Sequence, residues 1–204
     1  MTRLAPFASR YAPSGLVCAV DHLAAEAGVA VLRAGGNAAD AAVATSAVLA
    51  VTTPHMCGMG GDLFALVYAG GEPPAALNAS GRAGSGADPE RLRAEGHRTM
   101  PATGDIRTVP VPGCVAGWLA LHERFGRLSL AEVLAAARRY ADEGFPAAPD
   151  LVAAAPTVRL LPGAGDLRAA KHPGAMVQRR TPRVDDLFNA LDARSFVRVV
   201  TLIE

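Results

Sequence analysis

The 204-residue chain is half hydrophobic and 19% charged, against a usual charged share of ~25%, which fits a buried core and excludes a disordered composition. Lys plus Arg number 20 and Asp plus Glu 19, and a net charge of +1 lacks the basic footprint of a nucleic-acid or anionic-membrane binder. Three cysteines without regular spacing argue against a disulfide framework, and the N-terminus has no apolar signal core, so a cytoplasmic chain with reduced, buried thiols is expected.

After a lead-in over residues 1–14, the apolar run Leu16–Val20 reads as a strand. Asp21 then caps a helix whose apolar positions Leu23, Ala27, Ala30, Val31 and Ala34 recur at helical spacing, and Gly35-Gly36 stops it. Asn37 caps a second helix over 38–51, with Asp40 in its first turn where the helix dipole favours an anion. That helix is small and apolar on nearly every face, which predicts burial all round, and it is too short to span a bilayer.

Pro54 breaks it, and Pro54–Asp62 is a glycine-dense turn. Leu63–Ala69 reads as a strand apolar on both faces, hence central in its sheet, and Ala75–Ala79 returns as the next strand. Residues 80–111 read mostly as loop. A helix follows over Val115–Phe125 with the sole tryptophan, Trp118. Another is opened by Ser129 and Glu132 in capping-box register and ended by Gly144. Beyond Pro149 the pattern weakens to a helix near 184–193 and a strand-like run, Phe196–Ile203.

Candidate chemistry is sparse. Gly58, Gly60 and Gly61 suggest a phosphate loop, but here a helix precedes the glycines and a strand follows, the reverse of the order a phosphate loop needs. A nucleotide-binding α/β domain is disfavoured for that reason, and a turn with positive φ or close backbone packing explains the glycines better. The five histidines never stand three to five apart, so no zinc site is expected, and Cys57 as a nucleophile needs a base placed by the fold, a small buried hydrophobe being the simpler reading. Arg82 stands out. It lies in Asn78-Ala79-Ser80-Gly81-Arg82-Ala83-Gly84 just past a strand end, where flanking glycines admit a ligand and a guanidinium can hold a carboxylate through two parallel hydrogen bonds. On residue type alone, a solvated loop arginine is the simpler reading.

Three segments together carry a resemblance: AVDHLAAEAGVAVLRAGGNAADAAVATSAVLAVTTPHMCGMGGDLFALVYAGG, LNASGRAG, and TVPVPGCVAGWLALHERFGRLSLAEVLAAARRYADEGFP. In this order and spacing the sequence resembles the γ-glutamyltransferases, or glutathione hydrolases, across roughly residues 15–149. The resemblance implies the α/β (α+β) class, specifically part of the αββα sandwich of an N-terminal-nucleophile hydrolase. It also implies a precursor that cuts itself in two, freeing a threonine that attacks the γ-glutamyl amide of glutathione or a related donor, with its own α-amino group as base. The acyl-enzyme then passes to water or an amine acceptor.

Arg82 matches the family arginine that binds the donor α-carboxylate, although Ala83-Gly84 follows it where many relatives have Glu or Pro. The ten threonines all lack the family's processing context, so no catalytic residue is expected in this chain, nor a metal or cofactor. The expected partners are a γ-glutamyl donor such as glutathione and a small subunit supplied in cis or in trans, without nucleic acid or membrane. Residues 15–150 are read as the N-terminal region of a large subunit and 151–204 as a divergent part. The chain alone is expected to be inactive. A non-catalytic truncated or frameshifted remnant, or one half of a two-chain enzyme, are the alternatives.

Overall fold

The computed structural model describes residues 11–101, 105–158 and 176–177. Helix α1 (His22–Arg33) starts where the buried Asp21 carboxylate accepts the Leu23 and Ala24 backbone N–H groups at 2.9 and 3.2 Å. This satisfies donors that the first helical turn cannot pair internally. Leu23, Ala24, Ala27 and Val31 turn inward, and the chain leaves the helix through Gly35.

Helix α2 (Ala38–Thr52) is the axis of the molecule. Val43 and Val48 are fully enclosed, each contributing roughly 1.5–3 kcal/mol by leaving water. Because its side chains are small, α1, α4 (Cys114–Phe125) and α5 (Leu130–Glu143) all pack against it. Trp118 of α4 is buried and donates its indole N–H to Ser46 Oγ of α2 at 2.9 Å, so its polar edge is satisfied.

The start of α2 is also a tether. Asn37 and Asp40 form a reciprocal capping box. The Asp40 carboxylate has no exposure and accepts N–H groups from Asn37 at 3.0 Å, from Arg127 at 3.0 and 3.1 Å and from Leu128 at 3.3 Å. The Asn37 amide donates to the Phe125 carbonyl, fixing the α4–α5 turn from its other side. A buried carboxylate is tolerable when backbone donors replace its hydration, and here several do.

Strands β1 (Leu63–Val67) and β2 (Ala75–Ala79) form an antiparallel hairpin in register Leu63 to Ala79, and α4 packs against both. The hairpin is not buried on both faces as its apolar run predicts. Leu63, Ala65, Val67 and Leu77 face the helices, whereas Phe64 and Leu66 are 65% and 81% exposed. The described sheet holds two strands, so β1 lies at an edge.

Leu16–Val20 is likewise no strand. Val17 and Ala19 rest on the core and Leu16 and Val20 point to solvent, which gives the alternation of a strand without a described neighbour to pair with.

Within residues 80–111 the chain forms a short helix α3 (Pro89–Ala94), capped by Asp88 with Pro89 in its first turn, and a 3₁₀ turn (Ile106–Thr108). Arg107 ties the two together, reaching Asp105 at 2.6 Å and Glu95 at 2.8 Å. Its hydrogen bonds hold the Asp105 carboxyl down at about 2.

After α5, Gly144 turns the chain into β3 (Phe145–Pro146), which pairs with β4 (Met176–Val177). Helix α6 (Pro149–Val158) follows β3 and buries Leu151 and Ala155, where sequence periodicity gives no clear element. The expected elements at 184–193 and 196–203 lie outside the described residues. Among the described residues no helix is long and apolar enough to cross a membrane.

Candidate functional site

Arg82 lies three residues past the end of β2, where three loops meet. Ser80 N–H donates to the Asn78 side-chain oxygen at 3.0 Å, turning the chain out of the strand. Gly81 then takes φ +84°, a left-handed conformation that side chains disfavour, and a Cβ there would overlap the Val111 carbonyl. On the far side of Arg82, its carbonyl accepts Val111 N–H at 2.8 Å.

The Val111–Cys114 segment continues the junction. A Cβ on Gly113 would overlap the Ala79 carbonyl, so α4 begins directly against the end of β2. Both Gly113 and Cys114 donate their N–H groups to the Gly61 carbonyl, at 3.1 and 3.0 Å, and no side chain caps the helix. Gly61 thus joins the glycine-dense turn to the Arg82 loop.

This corrects the expected role of the glycine cluster. Gly58, Gly60 and Gly61 do not have positive φ, and a Cβ on Gly58 or Gly60 would meet nothing within 4 Å. Gly81 and Gly113 are the glycines whose missing side chains let the loops close.

The junction borders an open cavity of about 580 Å³, with Asn78, Ser80, Val111, Ala116 and Ala120 among its lining. Arg82 is the one charged residue in that lining, is exposed, and has no ion-pair partner among the described residues. A free guanidinium above a wall of small apolar side chains can hold a carboxylate in two parallel hydrogen bonds while the rest of the ligand lies along Ala116 and Ala120.

The other reactive groups do not converge on it. Against the expectation of buried thiols, Cys18 and Cys57 are exposed and Cys114 alone of the three is buried; the neighbours of Cys57 are the Thr53 hydroxyl at 3.4 Å and the Thr53 carbonyl at 3.9 Å. Burial pushes the Cys114 thiol up to about 11, with Cys57 and Asp62 adding to the effect, so it stays protonated at neutral pH. Thr45 and Thr52 are buried within α2, their nitrogens tied into peptide bonds of an unbroken helix, so neither has the free amine that an N-terminal nucleophile uses. Thr53 follows at the helix end and donates its hydroxyl to the Leu49 carbonyl. Thr2, Thr103, Thr181 and Thr201 lie outside the described residues. Among the described residues no three His, Cys, Asp or Glu side chains cluster as metal ligands would.

Residues 24–180 match the family model described as Gamma-glutamyltranspeptidase. The glutathione hydrolase-like YwrD proenzyme of Bacillus subtilis is 45% identical over 136 residues, covering 66% of this chain and 26% of the relative. The oxamate amidohydrolase proenzyme of Klebsiella pneumoniae is 40% identical over 143 residues, covering 68% and 27%. The chain therefore spans about a quarter of the length of either relative. Among solved structures, the Helicobacter pylori gamma-glutamyltranspeptidase superposes with a TM-score of 0.74 at 24% identity, covering 96% of this chain and 56% of that one. That likeness concerns the fold alone: an α/β architecture, present here in part.

Proposed function

This chain belongs to the gamma-glutamyltranspeptidase family, and on that premise we propose that it forms the donor-binding part of an enzyme that hydrolyses and transfers γ-glutamyl groups. Arg82 receives the donor α-carboxylate. The observation that carries this reading is the free guanidinium, the one charge of its cavity, at the position the family resemblance singles out. The nucleophilic threonine and the groups that stabilise the tetrahedral intermediate come from a small subunit, in cis or in trans. The exposed row of Phe64, Leu66 and Tyr68 supports this, because an αββα sandwich seats a second sheet on such a face.

Titration of the chain with L-glutamate, followed by NMR, tests the reading. Saturable shifts are expected, lost in Arg82→Ala and partly retained in Arg82→Lys, which keeps the charge but not the fork. Unchanged binding in Arg82→Ala overturns it. Purified chain should also release no product from a chromogenic γ-glutamyl anilide. Turnover that disappears in Arg82→Ala would show that the nucleophile lies within these residues.

A second reading follows from the Klebsiella relative. Oxamate also presents a carboxylate, placed directly beside its amide, so the same guanidinium suits a shorter donor. Stronger competition by oxamate than by L-glutamate for Arg82-dependent binding would favour it.

A further inference from the structure

We infer that Asn78 is a positioning residue for donor binding, acting through the turn that presents Arg82; the inference rests on the carboxylate-binding role of Arg82. Asn78 is the penultimate residue of β2, paired with Phe64 and on the exposed face of the hairpin. Asparagine is depleted from strands, and an exposed strand position favours threonine or valine. Packing does not account for it either, since the side chain lies outside the core.

The carboxamide instead folds forward and accepts Ser80 N–H at 3.0 Å, standing in for a backbone carbonyl of the next ladder rung. That bond ends the strand at Ala79 and leads the chain into Gly81 at φ +84°. Arg82 is thereby held from both sides, by the Asn78 turn before it and by Val111 N–H on its own carbonyl after it. Without the carboxamide, Ser80 N–H bonds to water, the strand end frays and the guanidinium samples directions away from the cavity. The Val111 bond fixes the Arg82 peptide but not the chain direction entering it, so the two restraints are not redundant.

The prediction concerns binding more than folding. Asn78→Ala should weaken L-glutamate binding by the 204-residue chain about two- to tenfold, the span of one modest hydrogen bond, with the thermal midpoint unchanged. Asn78→Ser, whose hydroxyl forms the same turn more weakly, should recover part of the loss. Arg82→Ala is measured alongside. Loss of binding in Arg82→Ala with wild-type binding in Asn78→Ala overturns the inference and leaves the Arg82 reading intact. Equal weakness of Asn78→Ala and Asn78→Ser also overturns it, because the turn-forming group would then be irrelevant. No saturable response in the wild-type chain, or an undiminished one in Arg82→Ala, overturns the reading and the inference with it.

Discussion

The helical layer and the hairpin layer solve the same problem to different extents. Around α2 the apolar faces of α1, α4 and α5 find cover, and the buried carboxylates Asp21 and Asp40 find backbone partners within that layer. The hairpin has one face on α4 and the other in solvent, with Phe64, Leu66 and Tyr68 in a row. Of the segments that carry the family resemblance, AGGNAADAAVA runs into the closed layer, whereas the turn leading into the hairpin and the proposed carboxylate-binding Arg82 belong to the open one. The two regions are therefore constrained differently. The first is constrained by burial, the second by what it must leave free.

Breaking the closed layer should have the largest effect. Asp40→Ala strips the acceptor from Asn37, Arg127 and Leu128 N–H groups at a site with no solvent access, and should cost about 3 kcal/mol or more. Thermal unfolding followed by circular dichroism measures it, and a change within the error of the wild type would show that water reaches the α4–α5 turn.

A change at the joint between the layers should separate stability from binding. Gly113→Ala forces the start of α4 off the Ala79 carbonyl, so Arg82-dependent L-glutamate binding should fall by about tenfold or more while helix content holds. Parallel loss of both would mean that the joint belongs to the core.

The Arg107 network offers a finer probe. Asp105 is held at about 2, below its ordinary 3.8, by its hydrogen bonds to Arg107. A depressed carboxyl stabilises the fold fully above its unfolded value and loses that contribution as pH falls through about 2. Arg107→Ala should return the Asp105 titration, read by carboxyl NMR, towards 3.8.

The smallest effect is expected on the open face. Phe64→Ser with Leu66→Ser should change stability in thermal unfolding by less than about 0.5 kcal/mol per site, because both side chains already face solvent.

What the sequence reveals follows the range of the interaction. The caps at Asp21, Asn37 and Ser129 are legible because each bonds within three residues of itself. All-round burial of α2 is legible from its composition. Leu16–Val20 and Leu63–Ala69 mislead because strand pairing and two-sided cover depend on segments remote in the chain. The apolar run is real in both, but its surroundings are not encoded locally. Helix α6 escapes notice because alanines around Leu151 blur its periodicity. Arg82 is visible through its flanking glycines, whereas the Gly61 link to Gly113 is not, since neither residue signals the other.

The Gly61 carbonyl has a consequence for which parts of the molecule open together. Helices α2 and α5 carry their own start signals in reciprocal capping boxes, and can nucleate as soon as their first turns form. Helix α4 has no such signal; its first N–H groups wait for a carbonyl contributed from before the hairpin. The first turn of α4, and the Arg82 loop leaning on it through Val111, are therefore secured at the base of the hairpin and by no cap of their own. In hydrogen exchange, Gly113 and Cys114 amides should accordingly open with the hairpin and not with the rest of their own helix.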